Sequence, residues 1–237
     1  MNIMPKVSSI RFWRTLHLWF SVILSLQLLA WFGSGLVMSI LPITEVRGDH
    51  LKNPAPPAHW QLARVSPADI QHPYTNPLLS LKQRGQLPVY QLQQNEQQQY
   101  FSAVDGKELL PLTKNELQQL AQAWYRGEGT VSKAQLLTEL PLEARGLPLP
   151  VWQVQFQDAE NTVFYLDPML GQLLRVRTDN WRLFDFVWML HIMDYQNRDN
   201  FNHLLLIASS ASALLFTLSG LVLLLMTLRR KARRTAE

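Results

Sequence analysis

Charged residues are unevenly distributed along this chain. Two stretches, 15–44 and 200–228, contain no Asp, Glu, Lys or Arg, and each exceeds the roughly 20 residues a helix needs to cross a bilayer. Both are predicted to be transmembrane helices. The first is too long for the roughly 7–15-residue core of a signal peptide, and Leu41-Pro42-Ile43 makes a poor cleavage site, so it reads as a retained anchor. Between the two stretches the pattern shortens to alternating runs with a period of two, the signature of half-buried strands.

One such run, PVYQLQ at 88–93, recurs as PVWQVQ at 150–155, and the same 62-residue offset carries Asp105 to Asp167. This internal echo predicts two copies of one unit, at about 60–125 and 126–178. Each copy reads as a strand, a polar turn, a second strand, a turn with glycine (Gly106, Gly171) and a third strand. Helices are expected after Ser66, over KNELQQLAQAWY capped by Thr113, and over KAQLLTEL after Thr130 or Ser132. A proline-rich stretch within 45–59 is the linker from the first span. Past the second copy, Trp181, Phe184, Trp188, His191 and Ile192 recur at three- and four-residue spacing, which predicts an aromatic helix over 179–194, too short to span and suited to a membrane surface. The expected fold class is an α+β membrane protein in which two transmembrane helices flank a domain of two antiparallel β meanders with helices.

Charge orients this plan. The flanks carry Lys6, Arg11, Arg14, Arg229, Arg230, Lys231, Arg233 and Arg234 against Glu237, whereas the segment between the spans holds 14 basic and 17 acidic residues. Positive-inside logic then puts both termini (1–14 and 229–237) in the cytoplasm and the central domain outside, in the periplasm of a Gram-negative cell. The overall charge of +4 is topology and not a nucleic-acid footprint. With no cysteine, disulfides, thiolate catalysis and iron–sulfur ligation are excluded.

The remaining chemistry is histidine. His17 lies a turn inside the first span, either an interfacial side chain beside Trp19 or a ligand, since ionisable groups within a span are expensive and usually functional. Gly35 returns to its face, and Gly33-Ser34-Gly35 admits close approach of a helix or a flat ligand. His191 and His203 bracket the connection 194–200 at the same end, either as a core histidine and a helix-end polar group or as a pair lining one slot. No dinucleotide fingerprint, P-loop, HExxH or GxSxG motif is present.

The opening RFWRTLHLWF of the first span, the two strand–turn–strand copies and the tail LHIMDYQNRDNFNHLLLIASSASALLFTLSGLVLLL together resemble the PepSY-associated transmembrane family over nearly the whole chain. The better-known members have four spans, so this chain is similar to a minimal two-span version. The resemblance implies inner-membrane reduction of periplasmic ferric iron or ferric siderophores with haem b, at one or two sites, held by histidines in the membrane helices. On that reading His17, His191 and His203 are the haem-binding candidates, Asp194 and Asp199 the carboxylates that would dock ferric substrate, and quinol or another protein the electron donor. His17 is alone at its end of the span, so a bis-histidine haem there requires a second protomer. A homodimer is expected, its helices meeting across Ser21, Leu24, Leu28 and Gly35. The competing readings are a haem-free accessory protein with a periplasmic partner and a peptidase modulator.

Overall fold

The computed structural model describes residues 7–234, so Lys6 and Glu237 of the charge argument lie outside the described residues. The chain divides into two units, one made of residues up to Leu41 and from Phe184 on, the other of Pro42–Leu183.

The first unit is built on two long helices, α1 (Val7–Ile40) and, at the other end of the chain, α5 (Leu204–Arg234). Their apolar parts, Ile10–Ile40 and Leu204–Ala232, are each long and apolar enough to cross a membrane. The ends differ slightly from the sequence reading. Pro42 lacks an N–H and restricts Leu41, so α1 stops at Ile40 and not near 44. Residues 200–203 stay outside α5, which starts at Leu204. The helices pack against one another, with Leu24, Ser34 and Ser219 buried in the seam and Leu26, Phe32 and Leu204 on the outside, 79%, 73% and 81% exposed. This corrects one expectation. His17 and Leu24, assigned above to a face awaiting a second protomer, belong to a face that the chain covers itself: the His17 ring stacks on Phe216 of α5 at 4.4 Å.

The second unit opens with a single turn, α2 (Ile43–Val46), and holds two antiparallel sheets. One has the order β1-β2-β3 (Leu78–Arg84, Leu87–Gln94, Gln97–Ser102), the other β4-β5-β6-β7 (Thr130–Leu137, Val151–Gln157, Val163–Leu166, Leu173–Arg177). Helix α3 (Lys114–Trp124) starts at Thr113, whose side chain accepts from the Glu116 N–H while the Glu116 carboxylate accepts from the Thr113 N–H, the expected capping box. Its Leu117 and Ala121, with Tyr125, pack on Ala134, Val154, Phe156, Phe164, Leu166 and Val176 of the second sheet. The other face of β6 is covered too, Val163 and Tyr165 packing with Val151 and Ala144, so this strand reads as an unbroken apolar run. The first sheet has no such helix packed in its core among the described residues. Its core of Tyr90, Leu92, Phe101 and Ala103 is closed by Ile70, Val65 and Tyr74, and the helix expected after Ser66 is only a 3-10 turn, Pro67–Asp69.

The helix expected over KAQLLTEL is strand β4. A bulge between Val131 and Lys133 shifts the alternation, so Val131 and Ala134, three residues apart, both pack in the core beneath α3. Locally that spacing imitates a helix; pairing with β5 overrides it.

The duplication is present, with a shifted register. Leu92 pairs with Gln99 and Val154 with Phe164, so the first strands of the copies are related by 62 residues and the second strands by 65. The following turn keeps the larger offset: the Gly106 N–H donates to Ser102 O and the Gly171 N–H to Asp167 O. Asp167, which caps the N–H groups of Met169 and Leu170, therefore corresponds to Ser102, which faces those of Val104 and Asp105. The match of Asp105 to Asp167 is coincidental. Of the third strands, only β7 forms; its counterpart is one bridge, Phe101 to Glu108. The three extra residues sit in the β5–β6 hairpin and brace it. Asp158 accepts from the Tyr125 hydroxyl at 2.7 Å, Glu160 faces His50 at 2.9 Å, and the Asn161 amide donates to Asp179 at 2.6 Å. Asp179 opens α4 (Asp179–Ile192), with the Thr178 hydroxyl accepting from the Trp181 N–H at 3.3 Å.

Candidate functional site

The chemistry-bearing residues collect in the helical unit. His17 projects from α1 onto α5. Its Nδ1 lies 2.8 Å from the hydroxyl of Ser219, which is 1% exposed. The ring's Cε1 would be only 3.0 Å from a Cβ on Gly220, so any larger residue there would push the imidazole away from the α5 backbone by a few tenths of an ångström.

At the other end of α1 the roles of the helices are exchanged. His191, in the last turn of α4, places Nδ1 3.0 Å from the hydroxyl of Ser34 on α1, which is 4% exposed. A Cβ on the adjacent Gly35 would lie 3.6 Å from the His191 Cε1, an ordinary contact. Each histidine is thus seated on a Ser-Gly pair of a long helix. Ser34 is 17 residues beyond His17, which places the two seats about 26 Å apart along the helix axis. The sequence reading noticed the glycines beside Ser34 but missed Ser219-Gly220. The recurrence of Ser-Gly in both apolar stretches was the available signal.

Nε2 of neither imidazole has a hydrogen-bond partner among the described residues. His191 also lines an open groove of about 390 Å³ with Trp31, Phe32, Ile192, Leu206 and Ser210, within the roughly 300–1,000 Å³ class of small-molecule sites. Two buried donors on α1, the Gln27 amide and the Trp31 indole N–H, have no acceptor among the described residues, an arrangement that calls for an explanation in a folded chain.

His203 is held differently. Its Nε2 donates to Ile192 O at 2.9 Å, and its Nδ1 accepts the Leu206 N–H at 3.3 Å, capping α5. A carbonyl only accepts, so the proton sits on Nε2 and the lone pair is already engaged. His203 thus reaches the carbonyl of the residue that follows His191, but it offers no nitrogen to a metal in this arrangement.

Asp194 has a task inside its own connection. Its Oδ1 accepts the N–H groups of Gln196 and Asn197, and Oδ2 those of Asp199 and Asn200. These bonds, that of Asn200 foremost, hold its carboxyl down at about 2. All four acceptor positions are used, and Asp199 points to solvent, so the two do not converge on a cation. Among the described residues no group of three or more His, Cys, Asp or Glu could hold a metal ion. The same connection is stapled by the Asp185–Arg198 ion pair and by the Trp188 indole N–H donating to Arg198 O at 3.0 Å.

By their surroundings, His17 and His191 are side chains that could hold a haem, and His203 is not. At the first two, a hydrogen bond between Nδ1 and a buried serine orients the ring, a glycine beside that serine leaves it room, and Nε2 has no partner among the described residues. No family model, no curated protein and no solved structure matches the chain. What the fold itself defines is an α+β chain whose two apolar end helices flank two antiparallel sheets.

Proposed function

We propose that this chain is a haem b electron-transfer protein of a bacterial inner membrane that reduces ferric iron or ferric chelates on the outer face, of the PepSY-associated kind that its sequence resembles. One observation carries the reading: two imidazoles at opposite ends of a pair of membrane-length helices, each tied through Nδ1 to a buried serine of its neighbour, with Nε2 unengaged among the described residues. Bound there, haem b supplies a one-electron couple within the hydrocarbon layer. The chain's own part is to present His17 at the cytoplasmic end and His191 at the periplasmic end and to hold both rings rigid. Quinol or a protein partner feeds the cytoplasmic end, and ferric substrate is reduced beside the periplasmic one.

Each seat supplies one nitrogen. Any further ligand to a haem held there would have to come from outside these seats, and a second copy of the chain is the source this reading favours. An absorption spectrum of the full-length protein purified from membranes tests the function. Reducible Soret and α bands of b type, lost stepwise in His17→Ala and His191→Ala, are expected; a protein without haem after expression with excess precursor overturns the reading in favour of a haem-free accessory role.

A further inference from the structure

We infer that Ser34 and Ser219 are positioning residues that fix the tautomers of His191 and His17, and so decide which nitrogen of each ring is free to bind a metal. The purpose of this device rests on the haem reading above; its observable does not.

The argument is a proton count. The Ser219 hydroxyl lies 2.7 Å from Phe216 O and 2.8 Å from His17 Nδ1; the Ser34 hydroxyl lies 3.1 Å from Trp31 O and 3.0 Å from His191 Nδ1. A hydroxyl has one proton to donate. In both cases a carbonyl, which can only accept, stands where that proton goes. The serine oxygen is then an acceptor toward the ring, the ring proton must sit on Nδ1, and Nε2 carries a bare lone pair. Both serines are shielded from water, so no solvent molecule replaces them.

His203 serves as an internal contrast. A carbonyl faces its Nε2 and an N–H its Nδ1, which enforces the opposite tautomer and leaves no lone pair. The chain thus sorts three histidines of one unit into two forms by their partners alone, serine for the two seated on Ser-Gly and main chain for the third. A ring whose Nδ1–H is hydrogen-bonded is also a more basic ligand at Nε2, which favours the oxidised state of a bound iron.

The test uses full-length protein labelled with ¹⁵N at histidine, first free of haem, in detergent at a pH where imidazole is neutral. His17 and His191 are expected with the proton on Nδ1 and His203 with it on Nε2. Ser219→Ala and Ser34→Ala should each release only their own histidine to a mixed state, and the Thr variants should restore it. In the haem-loaded protein the Ala variants should lose roughly 10- to 100-fold in haem affinity and raise the midpoint potential, Thr again restoring both. An Nε2–H form at His17 and His191 in the wild type, or tautomers indifferent to the Ala variants, overturns the inference. The expected tautomers in a chain that never binds haem uphold the serines' role and overturn the haem reading alone.

Discussion

His17 and Ser219 are separated by 202 residues in sequence and by 2.8 Å between Nδ1 and the hydroxyl oxygen. That bond ties the first third of the first long helix to the middle of the last one. The Ser34–His191 bond, at 3.0 Å, fastens α4 to the far end of the same helix.

The glycines beside these seats should respond in a graded order. A Cβ at Gly220 would lie 3.0 Å from the His17 ring, at Gly35 it would make a 3.6 Å contact, and at Gly33 it would meet nothing within 4 Å. Gly220→Ala should therefore displace His17, its packing cost of about 1–3 kcal/mol set against the ~1 kcal/mol that alanine gains as a helix former, and should be the least favourable of the three. Gly33→Ala should be neutral or stabilising, with Gly35→Ala in between. Thermal unfolding in detergent, read beside the haem spectrum, checks the order.

Replacing His203 should separate capping from ligation. His203→Ala removes the acceptor for the Leu206 N–H and should lower stability by about 1 kcal/mol, while His203→Asn, which can still cap, recovers most of it. The haem spectrum should be unchanged in both, in contrast to His17→Ala and His191→Ala. Loss of a haem band in His203→Asn would restore His203 as a ligand.

Asp194 should make the connection before α5 acid-sensitive. Its folded pKa, about 2, is depressed below the ordinary value of about 3.9 for an unfolded aspartate. The stabilisation is therefore complete above the ordinary value and disappears as pH falls toward 2. Amide exchange at Gln196, Asn197, Asp199 and Asn200 should quicken together over that window. Asp194→Ala should show the fast exchange already at pH 7, while Asp199→Ala leaves the pattern intact, since Asp199 lends only its N–H.

Orientation is open to a direct measurement. The basic flanks against a mildly acidic centre lead us to expect both termini in the cytoplasm. Alkaline phosphatase inserted near Gln98, in the β2–β3 hairpin, should be active and a fusion after the last residue inactive. The reverse pattern would invert the electron path proposed here, with His17 at the outer face.

What could be read before any coordinates were known is local in origin. The two apolar stretches declare themselves because a bilayer demands a run of uncharged residues. Thr113 with Glu116 announces a helix start because the capping box closes within three residues. The repeat was visible in two copies of a six-residue strand. Its register was misread past the hairpin, since an insertion of three residues moves Asp167 opposite Ser102, and only the strand ladder reveals which residues face. Strand β4 was missed because a bulge at Ser132 spaces Val131 and Ala134 as a helix would, and pairing with a strand some 20 residues away decides the conformation.

By itself, then, the sequence determined the membrane-length helices and the α+β centre, because hydrophobic periodicity and capping act within a few residues. Tertiary structure alone decided which histidines keep a free nitrogen. The partners of His17, His191 and His203 are Ser219, Ser34 and the Ile192 carbonyl with the Leu206 N–H. Whether an imidazole caps a helix or offers a lone pair depends on the atom that meets each of its nitrogens, and for His17 and His191 that atom lies 202 and 157 residues away, brought there by the packing of helices.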